Sequence, residues 1–312
     1  MSEKRKFRLI TRSDFDGLVS AMLLKELDLI EEILFVQPKD MLDGKIEVTG
    51  NDISTNLPYT SGIHLAFDHH ESESSRLSGL EAKNHINDPL APSAARVVYR
   101  HFGGSDVFSS KWDEIMAAVD KADSAQFEDD DIFCPKGWML INFITDPRTG
   151  LGRYKNFTIS NYQLMMKLID YCRDHSVEDV LALPDVRERV DYYFEREEMF
   201  KTQIQTCTKI INNLAVIDLR GEDIIVPGNR FMIYALYPQC NISMHILWGV
   251  ERSTTVFALG KSIFNKSSNT KIGELCLKYG GGGHDGAGTC QVGTESAFRV
   301  RSELINVITA DG

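Results

Sequence analysis

The first half of the chain alternates short apolar runs with amphipathic stretches. Phe7–Thr11 (FRLIT) predicts a buried strand that ends at Ser13-Asp14-Phe15-Asp16-Gly17, and a helical pattern with Leu18, Met22, Leu23 and Leu27 on one face follows at once. Ile33–Val36 predicts a second strand, Lys45–Val48 a third leading into Asn51-Asp52, and Ile63–Phe67 a further one with Asp68-His69-His70 at its end. Pro92–Phe102 reads as a helix that Ser93 is placed to cap, and Lys111–Asp123 as another, apolar at Ile115, Ala118 and Val119. Strands alternating with helices predict an α/β fold, an N-terminal doubly wound and mostly parallel sheet. Acidic and histidine residues recur where the strands end, which is where open α/β sheets bind ligands.

The pattern changes after residue 160. Asn161–Asn213 is helical, interrupted at Pro184, and Asp185–Thr206 is so charged that it suits a helix bridging two domains. Leu214–Ile217, Phe231–Leu236, Ser243–Trp248 and Thr254–Leu259 read as strands. A helix over Ile272–Lys278 then meets Gly280-Gly281-Gly282-Gly283-His284. The expected organisation is an N-terminal domain over 1–184, a helical linker over 185–213 and a smaller α+β domain over 214–312. No internal repeat or low-complexity tract interrupts it.

Composition narrows the classes. A chain of 312 residues, 43% hydrophobic and 25% charged, has globular averages and room for two cores. The net charge of -11 repels polyanions, so a duplex-binding groove is not expected, while a small phosphorylated substrate in a locally positive pocket is. There is no apolar run of about 18 residues to span a membrane, and no signal-peptide pattern precedes Asp14. The six cysteines are scattered without a CxxC pair, which argues against a zinc knuckle or a disulfide framework and fits a reducing cytoplasm.

Asp14 and Asp16, two apart at a strand end, can both address one centre. Hard oxygen ligands with one or two imidazoles suit Mn²⁺ or Mg²⁺. Asp68-His69-His70 places three ligand-type residues in a row where packing has no use for them. Asp52, and Asp120 or Asp123 at a helix end, are unremarkable singly. The glycine run could let backbone N–H groups approach phosphate closely.

Together the order DFDG, ND, DHH, the aspartate of Val119-Asp120-Lys121-Ala122-Asp123, and GGGGH resembles the DHH phosphoesterase superfamily over nearly the whole chain. The C-terminal part is similar to the DHH-associated domain. Lys278–Val292 and Ser262–Lys266 look like exopolyphosphatase-related members, with nano-RNA phosphatases also close. The resemblance implies Asp14 and Asp16 on one metal each, Asp52 bridging, His69 and Asp123 (in preference to Asp120) completing the second site, and one or two Mn²⁺ or Mg²⁺ ions. It implies that Asp68 orients the histidines and that His70 faces substrate. Arg12, Asn265, Lys266, Gly281, Gly282, Gly283 and His284 are the substrate-binding candidates. The implied chemistry is two-metal hydrolysis of a small phosphoanhydride or phosphodiester: polyphosphate, a short single-stranded oligonucleotide, phosphoadenosine phosphate or a cyclic dinucleotide. A homodimer is compatible with the sequence.

Two positions depart from the family pattern. Arg12 stands where the family carries the histidine that opens HxDxD, and a guanidinium cannot ligate a cation. Asp285 stands where a basic residue is expected after GGGGH. Arg12 thus motivates an alternative, a degenerate module that binds a phosphorylated ligand with little turnover.

Overall fold

In the computed structural model, which describes residues 5–77, 82–151, 154 and 156–312, the chain divides by its internal contacts into two units. The first comprises Met1–Phe127 and Pro135–Tyr192, the second Glu128–Cys134 and Tyr193–Gly312.

The first unit begins with β1 (Phe7–Thr11), α1 (Phe15–Glu26), β2 (Ile30–Phe35), α2 (Pro38–Leu42), β3 (Asp52–Thr55), β4 (Leu65–Asp68), α3 (Glu71–Arg76), β5 (His85–Asn87), α4 (Ala94–His101) and α5 (Asp113–Asp123). Its sheet is parallel throughout, in the order β2-β1-β3-β4-β5. The order reverses between β1 and β3, and the crevice at the carboxyl ends of such strands is where a doubly wound sheet takes its ligand. Leu9, Ile10 and Phe67 of the sheet are buried with Leu18, Met22 and Leu23 of α1 and Val98 of α4. Ser93 caps α4 by accepting from the Arg96 N–H.

The chain then crosses to the second unit for α6 (Asp129–Phe133) and returns for α7 (Gly137–Thr145), α8 (Asn161–Tyr171), α9 (Val177–Ala182) and α10 (Pro184–Glu195). Pro184, read as an interruption, is the first residue of α10, where its missing N–H costs nothing.

The second unit continues through α11 (Glu197–Cys207), β6 (Thr208–Ile211), β7 (Leu214–Asp218), α12 (Met232–Leu236), β8 (Ile242–Trp248), β9 (Thr254–Lys261), α13 (Ile272–Leu277), β10 (Gly282–His284), β11 (Ala287–Gly293) and α14 (Ala297–Asp311). Its mixed sheet runs β10-β11-β9-β8-β7-β6. Met244, Ile246, Phe257 and Leu259 on one face pack with Ile272, Leu275, Val300 and Leu304 of α13 and α14.

The structure corrects two expected strands. Lys45–Val48 is irregular; Ile46 and Val48 pack against the cluster of Ile10, Val36, Met41 and Leu57 without joining a ladder. The strand between β1 and β4 is instead Asp52–Thr55, whose buried Ser54 and Thr55 give no apolar signal. Phe231–Leu236 is also not a strand. Asn229 accepts from the Phe231 N–H at 3.0 Å and nucleates α12, and a short apolar run alone cannot distinguish the two conformations.

The turn from β1 into α1 depends on Gly17. A Cβ there would sit 2.0 Å from the Arg12 carbonyl oxygen and 2.8 Å from Thr11 Oγ1. Gly17→Ala should therefore cost at least about 1–3 kcal/mol, the range for overpacking, read as a lowered urea midpoint at unchanged m-value. An unchanged midpoint would show that the turn tolerates the methyl group.

Candidate metal centre

β1 delivers Asp14 and Asp16 to the carboxyl edge of the sheet, and β4 delivers Asp68, His69 and His70 to the same edge. α5 ends there with Asp123. Ligand atoms of Asp16, His69 and Asp123 lie within 4.8 Å of one another.

Asp16 and His69 are held from behind. Asp16 is buried, and its Oδ2 and Oδ1 accept from the Ala94 and Ala95 N–H groups at 3.0 and 2.7 Å, the first turn of α4. His69 donates from Nδ1 to the Ala91 carbonyl at 3.2 Å, because a carbonyl can only accept. That bond fixes the tautomer and leaves Nε2 facing the cluster. Nε2 lies 2.8 Å from Asp123 Oδ2, yet it is buried without a properly aligned hydrogen-bond partner. An imidazole nitrogen and a carboxylate oxygen brought this close without a hydrogen bond between them suit a shared cation. The residues fit a divalent ion.

Electrostatics agree with that fit. Burial and then the charge of Asp123 push the Asp16 carboxyl up to about 8. Burial opposes the charge on His69, but Asp123 first, then Asp16 and Asp68, lift it to about 9. A cation would remove the repulsion that raises Asp16.

The other expected ligands are differently employed. Asp14 is the N-cap of α1: Oδ1 accepts from the Gly17 N–H at 3.0 Å and Oδ2 lies 3.2 Å from Arg12 Nε. Asp52 is corrected outright. It pairs with Arg8 in register, at the amino end of β3, and so lies at the opposite edge of the sheet from Asp16. Arg8 donates to its Oδ1 and Oδ2 at 2.7 and 3.0 Å, and Thr49 adds two more hydrogen bonds. Burial notwithstanding, Arg8 and Thr49 hold the Asp52 carboxyl below its ordinary value. Asp120, the alternative to Asp123, is consumed by Arg96 at 2.8 and 2.5 Å and Ser93 at 2.8 Å.

Asp68 Oδ1 accepts from the His69 N–H at 2.9 Å and from His70 Nδ1 at 2.7 Å. His70 thereby offers Nε2 outward. Burial disfavours its charge, yet Asp68 raises its pKa. Glu73 and His85 lie beside Asp68. Glu73 is neutralised by Arg76 at 2.8 and 2.6 Å.

Sequence reasoning missed Asn56. It follows β3 at the carboxyl edge, is buried in a left-handed conformation (φ 56°), and neither side-chain oxygen nor nitrogen has a partner among the described residues. Placing the strand at 52–55 would have identified it.

The glycine-rich candidates belong to the second unit. Gly282 and Gly283 form the edge strand β10, paired with Thr289 and Gly288. A Cβ at Gly281 would lie 2.1 Å from the Thr289 carbonyl oxygen, so close strand approach explains a glycine there. The side chain of His284 lies outside the described residues. Asn265 Oδ1 accepts from Ser267 Oγ at 2.7 Å, and Lys266 is exposed. Asp285, the second departure, is neutralised by Lys261 at 2.6 Å.

Metal binding should be proton-coupled. Asp16 holds its proton to about pH 8 and His69 to about pH 9, so Mn²⁺ must displace both at neutral pH. Mn²⁺ affinity should rise as pH rises toward these values, by about tenfold per pH unit for each proton released. Calorimetry in buffers of different ionisation enthalpy counts those protons, and binding without proton release would contradict the assignment.

No protein-family model matches the chain, and no curated protein matches it. Among solved structures it is similar to the pGpG-specific phosphodiesterase PggH from Vibrio cholerae, with 57% identity and a TM-score of 0.84 over 98% of this chain and 100% of that one. RecJ from Thermus thermophilus, solved in complex with Mn²⁺, shares the fold at 10% identity and a TM-score of 0.53, over 98% of this chain and 52% of RecJ. The level of identity to the phosphodiesterase, across nearly the whole of both chains, means that the protein belongs to the DHH phosphoesterase superfamily and is a DHH-type hydrolase.

Proposed function

We propose that the protein hydrolyses the phosphodiester of a short linear dinucleotide bearing a terminal phosphate, pGpG being the representative, with a divalent cation held by Asp16, His69 and Asp123. The observation that carries this reading is the 57% identity to a pGpG-specific phosphodiesterase across both chains. The strand-edge cluster supports it.

The employment of Asp14 by Arg12 and Gly17, and of Asp52 by Arg8, favours one ion over two. When bound, Mn²⁺ or Mg²⁺ would supply Lewis acidity at the phosphoryl oxygens and activate water. His70, oriented by Asp68, presents Nε2 to substrate. Its raised pKa keeps it charged further up the pH scale than an ordinary imidazole, so it neutralises phosphoryl charge or gives a proton to the leaving oxygen. Arg12, about a quarter exposed, adds a fixed positive charge beside the cluster.

With Mn²⁺, pGpG should be converted to two equivalents of GMP. Asp16→Ala and His69→Ala should each lose at least about a hundredfold in kcat/KM, the upper end of what outer-shell partners of a metal cost. Tight binding of pGpG without turnover would instead establish a binding module. Asp52→Ala should destabilise the fold by about 1–3 kcal/mol, since it strands the Arg8 and Thr49 donors, while leaving kcat unchanged. Loss of turnover in folded Asp52→Ala would return that residue to the centre.

A further inference from the structure

The turn after α7 carries an arginine that the mechanism above does not use. Asp146, 4% exposed, caps a short 3-10 turn over Pro147–Thr149. Its Oδ1 accepts from the Arg148 backbone N–H and from Arg148 Nε, each at 2.8 Å, and its Oδ2 from Nε at 3.0 Å. Thr149 Oγ1 donates back to the Asp146 carbonyl at 2.8 Å. Arg148 is therefore pinned at its inner nitrogen. Its side chain is 47% exposed, and among the described residues neither Nη has an acceptor within hydrogen-bonding distance. A guanidinium fixed on one side with its fork free is a pre-organised anion receptor, because little side-chain entropy is left to lose.

The turn follows a helix that packs on two elements of the metal centre, and it lies within electrostatic reach of their carboxylates. α7 packs against α5 and α1, which bear Asp123 and Asp14 at the ends facing the cluster. Desolvation opposes the charge of Arg148, and Asp146, followed by Asp14 and Asp123, more than offsets it. Arg12 is ion-paired to the same Asp14 and helps hold Asp123 ionised. Two guanidiniums thus flank one pair of carboxylates. A phosphodiester is a monoanion, which the cation and His70 already serve. The donors of the Arg148 fork, which Asp146 does not engage, suit the oxygens of a phosphomonoester one nucleotide away.

We infer that Arg148, positioned by Asp146 and acting beside Arg12, is a specificity-determining residue that holds the terminal phosphate of the substrate. This rests on the dinucleotide reading proposed above. A purely structural role, closing the turn after α7, predicts equal effects on all substrates.

The test compares kcat/KM for pGpG and for GpG, which lacks the terminal phosphate, in wild type, Arg148→Gln and Arg148→Lys with saturating Mn²⁺. Wild type should prefer pGpG. Arg148→Gln should lose about 10–100-fold on pGpG, the value of hydrogen bonds to a charged group, and stay within about twofold on GpG. Arg148→Lys should recover part of the loss, since it keeps the charge without the fork. An equal loss on both substrates, or no loss on pGpG, overturns the inference while leaving the dinucleotide reading intact. A wild-type protein that cleaves neither overturns that reading and this inference with it.

Discussion

The buried carboxylate of Asp16 is the constraint on which the first unit's chemistry depends. It lies at the end of β1, accepts the first N–H groups of α4, and faces Asp123 at the end of α5. Three elements distant in sequence are tied to one atom group. The helix N-terminus stabilises its negative charge, while burial and Asp123 oppose it. Such a balance is poor for stability and good for binding a cation, which relieves the repulsion and keeps the hydrogen bonds.

Around that centre, the two histidines are each fixed by a neighbour that does not face it. Ala91 sets the tautomer of His69, Asp68 sets that of His70, and Arg76 neutralises the Glu73 beside Asp68. The centre is specified by backbone carbonyls and outer ion pairs as much as by its ligands. The same economy governs the two positions that depart from the family pattern. Arg12 is ion-paired to Asp14, and Asp285 to Lys261.

The error over Asp52 shows how a small misreading of strand position becomes a large one in space. Ile46 and Val48 resemble a strand in hydropathy, and a strand there would end at Asp52. The true strand starts at Asp52, is rich in buried hydroxyls, and ends at Asn56. Because strands in a parallel sheet all point one way, moving a strand by its own length carries a residue from the ligand-binding edge to the opposite edge. Arg148 left no sequence signal for another reason: its turn follows a helix, carries no motif, and is placed by the packing of α7 on α1 and α5.

The sequence by itself determined the α/β class, the parallel sheet, the strand-edge placement of Asp14, Asp16 and Asp68-His69-His70, and the superfamily. These follow from local periodicity and from ligand-type residues adjacent in the chain, which propensity and spacing report directly. Only the tertiary structure set Asp123 beside Asp16 and His69, paired Asp120 with Arg96, put Asp52 at the amino end of its strand, and brought forward Asn56 and Arg148. Those outcomes turn on which partner a charged or amide group meets across the sheet or between helices. Pairings between residues distant in the chain, such as Arg8 with Asp52 or Arg96 with Asp120, are set by register and packing and leave no trace in local pattern.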